Sequence, residues 1–211
     1  YNVADVQTGC GTCVYVAENG FFKGRIELGD KVKPGTAEAL KTLQNGLVHQ
    51  VVMLSGDSIS AAEKTACELH IKHVYAGLLP ADKVEILEKL ISGTPNGLAT
   101  AFVGDGINDA PVLARADLGI AMGALGSDAA IEAADVVLMT DEVKKIVSAI
   151  KISRKTLRVI KQNIVFALVI KAGVLALGAA GLANMWSAVF ADVGVCLLAV
   201  ANSLRPLYFK E

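Results

Sequence analysis

Hydrophobic and polar positions along this chain follow two different patterns, one before and one after about residue 140. In the first part, short runs rich in β-branched and aromatic residues alternate with segments of helical periodicity. The runs predict strands at residues 13–17, 24–28, 50–54, 72–75, 98–103, 118–121 and 135–139. Helices are expected near 34–43, 60–69, 81–91, 111–116 and 128–133. Strands alternating with helices of this length predict an α/β fold built on a parallel sheet covered on both faces. The apolar runs at 50–54 and 98–103 suit strands buried on both sides. A mixed polar and apolar helix over 142–162 then leads into a tail of different character.

In that tail, residues 162–204 carry only two of the chain's 41 charged side chains, Lys171 and Asp192. Two spans fit, about 164–183 and 186–204, each near the roughly 20 residues that a bilayer-crossing helix needs. Asn184-Met185 forms a short uncharged link, and Trp186 sits where an interfacial aromatic belongs. Lys151, Arg154, Lys155, Arg158 and Lys161 precede the pair, while Arg205 and Lys210 follow it. This bias places both ends in the cytosol. The partner expected here is a lipid bilayer, and the localisation a multi-pass membrane protein, in the plasma or cytoplasmic membrane, with its polar part in the cytosol.

Composition accounts for the same division. Hydrophobic residues make up 53% of the 211, and charged residues 19%; mean hydropathy is +0.49. The apolar excess resides in the tail, because the rest of the chain has an ordinary soluble charge content. With 20 Lys+Arg against 21 Asp+Glu, the chain lacks the basic footprint of a nucleic-acid binder. Four cysteines, Cys10, Cys13, Cys67 and Cys196, are too few and too scattered for a disulfide framework. Cys10 and Cys13 form a lone Cys-x-x-Cys with no second pair, and His49, His70 and His73 are expected as dispersed surface residues. The opening Tyr1-Asn2-Val3 has neither a basic n-region nor an apolar h-region, so no signal peptide is expected and a piece of a longer protein is.

Candidate chemistry lies where strands end, since ligands of open parallel sheets gather beyond the strands' carboxyl ends. Ser55-Gly56-Asp57 follows the run at 50–54 and offers a hydroxyl and backbone N–H groups at a helix N-terminus, which suits a phosphoryl group. Gly104-Asp105-Gly106-Ile107-Asn108-Asp109 follows the run at 98–103. Its glycines permit close backbone approach, and its paired carboxylates, Asp105 and Asp109, can hold Mg²⁺ together with substrate phosphate. Between them, Pro80-Ala81-Asp82-Lys83 opens a helix and sets Lys83 on its first turn. A hydroxyl, a lysine and a carboxylate loop supply the charge neutralisation and positioning that phosphoryl transfer needs.

These motifs, with Ala116-Asp117-Leu118-Gly119-Ile120-Ala121-Met122-Gly123, Gly126-Ser127-Asp128 and Ala134-Asp135-Val136, resemble the phosphorylation domain of P-type ATPases, a haloacid-dehalogenase-like fold. The resemblance implies that Asp105 ligates Mg²⁺, Asn108 contacts phosphate and Asp109 positions the lysine. It implies further that Lys83 neutralises an aspartyl-phosphate, that Ser55 hydrogen-bonds it, and that Gly56 and Asp57 complete the loop. The family's nucleophilic Asp-Lys-Thr-Gly-Thr does not occur in this sequence. ATP is therefore expected to be bound mainly by an upstream part of the same pump, and the fragment alone to be inactive. The organisation implied is the tail of a nucleotide-binding domain (1–28), a phosphorylation domain (29–141), a cytosolic linker helix (142–162), two transmembrane helices (163–205) and a cytosolic tail (206–211).

A charged residue within a bilayer costs about 2.5–3.5 kcal/mol on insertion scales and marks a functional candidate. The tail resembles the last two spans of the subgroup that exports zinc, cadmium and lead, through Asn163, Lys171, Asp192-Val193-Gly194 and Asn202-Ser203-Leu204-Arg205. The Met-x-x-Ser-Ser pattern of copper pumps is absent. Zn²⁺ accepts carboxylate oxygen whereas Cu⁺ prefers sulfur. Asp192 is thus expected to ligate the transported metal and Lys171 to act as a built-in counter-charge, with Cys196 one turn from Asp192. Two other readings remain open: a membrane-tethered phosphatase of the same superfamily, and a non-enzymatic assembly partner that docks through its hairpin.

Overall fold

The computed structural model describes residues 12–19, 21–28, 31–104, 107–123 and 128–208. The chain divides into two compact units, residues 1–146 and 147–211.

The first unit begins with an antiparallel hairpin, β1 (Thr12–Glu18) and β2 (Phe21–Leu28). The turn between them uses Asn19 at φ 51°, a left-handed conformation that asparagine tolerates better than most residues. Helix α1 (Thr36–Gln44) follows, burying Ala39, Leu40 and Leu43 on one face. Then come β3 (Val52–Leu54), α2 (Ile59–Glu68), β4 (His73–Tyr75) and α3 (Pro80–Gly93). Strands β3 and β4 pair in parallel as one two-stranded sheet. Strand β5 (Ala101–Gly104), helix α4 (Ala110–Arg115), strand β6 (Leu118–Met122), helix α5 (Asp128–Ala133) and strand β7 (Val136–Leu138) build a second parallel sheet in the order β5-β6-β7.

The α/β alternation expected from the sequence is thus present, with an antiparallel hairpin in front of it. The distribution of burial differs from expectation. Strands β3 and β5 were expected to be covered on both sides, but β3 is only half-buried, and Ala101 and Val103 of β5 are exposed. Among the described residues each lies at the edge of its sheet, paired on one side only. The covered strand is β6, central in its sheet, where Ile120 and Ala121 are buried. Ala121 clusters with Leu113 and Ala130, and Phe102 and Val137 pack against them.

Two aspartates pin the register of this sheet from its amino end. The Asp117 carboxylate accepts the Thr100 N–H at 2.8 Å, just before β5, and Asp135 accepts the Gly119 N–H at 2.8 Å, within β6. Gly119 itself is required by packing, because a Cβ there would lie 2.6 Å from the Leu113 carbonyl oxygen. Leu113, 1% exposed, is the centre of the cluster. Leu113→Ala should therefore destabilise this unit by about 2–5 kcal/mol, measurable as a lowered denaturant midpoint, and Gly119→Ala should add backbone overpacking of about 1–3 kcal/mol.

The second unit is helical. Helix α6 runs unbroken from Val143 to Ala179, 37 residues, so the expected linker helix and first span are one helix with no break at residue 163. After a turn containing Gly181 at φ 73°, Asn184 caps α7 (Met185–Val189) by accepting the Ser187 N–H at 2.9 Å. A π-helical turn, Phe190–Gly194, leads into α8 (Val195–Ser203). A single extra residue per turn of this kind rotates the side chains that follow it. Two stretches, Val143–Ala179 and Met185–Leu207, are long and apolar enough to cross a membrane by length and composition, and their most apolar windows are 0% and 11% buried. The described residues leave this apolar surface uncovered.

Candidate active site and an ion pair between apolar helices

Where β3 ends, the chain turns sharply at Ser55-Gly56-Asp57. Ser55 is the one buried polar residue among the described ones, at 8% exposure. Its hydroxyl donates to the Asp57 carboxylate at 3.0 Å and accepts the Asp57 N–H at 3.1 Å. The loop after β4 closes over this turn, with the Leu78 N–H on the Ser55 carbonyl and the Gly77 N–H on the Asp57 carbonyl. A Cβ on Gly56 would come within 3.3 Å of the Leu78 carbonyl oxygen, so a side chain there would crowd the closure.

That same loop launches α3. Pro80 occupies the first helical position, where its missing N–H is no loss, and Asp82 accepts the Leu79 N–H at 2.9 Å. One residue on, Lys83 points across to the end of β5, and its ammonium donates to Asp109 Oδ1 at 2.7 Å. Both side chains are largely enclosed, 16% and 14% exposed, so the pair is screened far less than a surface ion pair. Gly104 makes room for it: a Cβ at this position would lie 2.9 Å from the Asp109 Cβ and 3.0 Å from Phe102 Cε1. Gly104→Ala should push Asp109 off the lysine, seen as loss of the Lys83 ammonium hydrogen bond by NMR together with a lowered melting temperature. Asn108 is exposed on the 3₁₀ turn Ile107–Asp109.

The structure therefore brings Lys83 and Asp109 into contact, and joins Ser55, Gly56 and Asp57 to the loop that positions Lys83. Asp105 and Gly106, as well as Cys10, Gly126 and Ser127, lie outside the described residues. An oxygen-rich edge with an enclosed lysine can hold a phosphoryl group and, through carboxylate oxygens, a hard cation such as Mg²⁺.

In the helical unit, Lys171 Nζ lies 3.2 Å from Asp192 Oδ1. The two charged residues of the apolar tail thus form an ion pair with each other, and Asp192 sits in the π-helical turn. Gly194 follows from local packing, because a Cβ there would meet the Phe190 ring at 2.7 Å. Cys196 and Cys67 are free and exposed.

Two features were not legible beforehand. The three histidines, expected to be dispersed, line one open cavity of about 380 Å³ with Lys72, at the amino ends of β3 and β4 and away from Ser55. They come from a loop, a helix end and a strand start, so no spacing announces them. Among the described residues no group of three or more His, Cys, Asp or Glu could hold a metal ion. The second feature is Gly123, at φ 70°, beside Asp141: a Cβ would collide with that carboxylate, which also binds Lys33 at 3.0 Å.

The haloacid dehalogenase-like hydrolase family matches residues 3–117, and the chain belongs to this family. Among curated proteins it is 52% identical over 201 residues to a cadmium, zinc and cobalt-transporting ATPase of Bacillus subtilis, covering 95% of this chain and 29% of that protein. It is 53% identical to a zinc-transporting ATPase of Synechocystis, over 92% of this chain and 27% of that one. Among solved structures, a zinc-transporting PIB-type ATPase in its E2·Pi state matches with a TM-score of 0.81 at 40% identity, covering 94% of this chain and 32% of the other. The resemblance to heavy-metal P-type ATPases is borne out, and the chain spans under a third of the length of these relatives.

Proposed function

We propose that this chain is the C-terminal part of an ATP-driven pump that exports Zn²⁺, Cd²⁺ or Pb²⁺ across the membrane through an aspartyl-phosphate intermediate. The observation that carries this reading is the Lys171–Asp192 pair, 3.2 Å apart in helices otherwise free of charge over residues 162–204. Charged groups in such segments are retained where they handle ions or protons. The relatives' names, zinc- and cadmium-transporting ATPases, agree with it.

In this reading the phosphoryl site works by positioning and charge. Lys83, held by Asp109, meets the phosphoryl oxygens as charge develops on them. The Ser55 hydroxyl turns from Asp57 to donate to the same group, Gly56 keeps the loop close, and Asn108 offers its carboxamide from the exposed turn. Asp105 and Asp109 would hold Mg²⁺, whose contribution when bound is to neutralise phosphate charge. The donors are carboxylate and amide oxygens, the set that this cation takes; the Asp109 oxygen left over from Lys83 is Oδ2.

The nucleophile and most of the ATP-binding surface belong to the remainder of the full-length protein. The open edges of β3 and β5 support this assignment. A further parallel strand paired with either edge would bring its carboxyl end level with the strand ends that carry Ser55 and Gly104.

The test compares two samples. The full-length protein in lipid vesicles should hydrolyse ATP with stimulation by zinc, and residues 1–211 alone should not hydrolyse it. Zinc-independent hydrolysis of phosphate monoesters by the full-length protein would instead assign a tethered phosphatase.

A further inference from the structure

The polar residues of the helical unit form a second cluster besides the ion pair. The Asn163 carboxamide on α6 donates to the Ala199 carbonyl at 3.1 Å and to the Ser203 hydroxyl at 2.9 Å, both on α8. Its oxygen accepts from Asn202 Nδ2 at 2.7 Å. The Asn202 oxygen in turn accepts from Arg205 Nη1 at 3.1 Å, and the Ser203 hydroxyl donates to the Ala199 carbonyl at 2.9 Å. Both N–H bonds and the oxygen of Asn163 are engaged, so this side chain fits one axial position and one rotation of α8, and no other.

Lys171 lies eight residues along α6 from Asn163, about 12 Å at 1.5 Å per residue. Asp192 lies ten residues before Asn202 on the antiparallel partner. A slip of α8 by one residue would turn Asp192 by about 100° and carry it about 1.5 Å along the axis. The rotation swings the carboxylate to another face of the helix and so breaks the 3.2 Å contact. Apolar packing adds little to this restraint, because Leu168, Val169, Leu197 and Leu198 are exposed and, in the described part of the second stretch, only Ala191 and Val195 are buried.

We propose that Asn163 is a positioning residue: its hydrogen bonds to Ala199, Asn202 and Ser203 set the register of α8 on α6, and thereby hold Asp192 opposite Lys171. The functional consequence rests on the pump reading; the register itself does not.

The experiment separates the two. In the first arm, a variant lacking the native cysteines and carrying Lys171→Cys and Asp192→Cys is placed in lipid vesicles and treated with a short bismaleimide. Removing the ion pair in this way leaves Asn163 to set the register. Asn163→Leu should lower the cross-linking yield about five-fold, and Asn163→Gln, which keeps the carboxamide, should restore part of it. An unchanged yield in Asn163→Leu overturns the proposal. The second arm uses the full-length protein with native Lys171 and Asp192. There Asn163→Leu should lower zinc-stimulated turnover and Asn163→Gln should recover it. Full stimulation in the leucine variant, despite a lost cross-link, overturns the positioning role. A full-length protein with no zinc stimulation at all sinks the pump reading, while the first arm still decides the register.

Discussion

Asp192→Ala in the full-length protein is expected to abolish zinc-stimulated ATP hydrolysis and to weaken zinc binding by more than about 100-fold, since loss of an outer-shell partner alone typically costs 10–100-fold in metal affinity. The argument is one of charge. Asp192 is the single carboxylate between residues 162 and 204, and carboxylate oxygen is a ligand that Zn²⁺ accepts. Without it, the Lys171 ammonium 3.2 Å away stays in the apolar span with no counter-charge and repels an incoming cation. The partner substitution should act with the opposite sign on binding. Lys171→Ala removes the competitor for the carboxylate, so zinc should be held at least as tightly while turnover falls. Equilibrium zinc binding measured beside hydrolysis separates the two. Asp192→Asn, which keeps size and removes charge, controls for misfolding. Undiminished zinc stimulation in Asp192→Ala would remove this residue from the transport path.

That ion pair shows what linear spacing can and cannot say. The sequence singled out both residues as exceptions to an apolar pattern, but two straight helices of ideal length put them at unequal depths. The structure pairs them at 3.2 Å, with Asp192 at the centre of a π-helical turn that periodicity does not encode. The carboxamide cluster around Asn163 belongs with it. Its members were visible as polar letters, and their mutual bonding was not.

In the α/β unit the element types were legible because each strand is short, apolar and punctuated by Gly, Pro or Asp. Covering was not legible. A run such as Val51-Val52-Met53-Leu54 has the composition of a strand buried on both sides, and among the described residues β3 pairs on one side only. An apolar run records that a strand can be covered, not which element covers it. That Lys83 reaches the sheet edge carrying Asp109 was legible from the order of motifs, while its pairing with Asp109 came only from the resemblance to P-type ATPases. The need for glycine at 104 and 119 was only half legible, because it depends on Asp109, Phe102 and the Leu113 carbonyl arriving from other elements.

Lys83 carries the second large expectation. Lys83→Met in the full-length protein should slow formation and breakdown of the phosphoenzyme on the order of 100–1000-fold, the range for removing one preorganised donor from a developing oxyanion. The thioether keeps most of the stem packed while deleting the charge. It also leaves the Asp109 carboxylate, 14% exposed, without its cation. Breaking a buried pair from one side typically destabilises by about 3–5 kcal/mol, and partial exposure here lowers that figure. A double substitution separates chemistry from folding. Lys83→Met with Asp109→Asn removes both charges and should recover much of the lost stability, read as a denaturant midpoint, because a neutral carboxamide tolerates enclosure. It should recover none of the turnover, because the ammonium is still missing. Single-turnover phosphorylation from ATP, followed by chase, gives the rates. If the double variant regains turnover along with stability, Lys83 serves the fold and the phosphoryl group is neutralised by another cation.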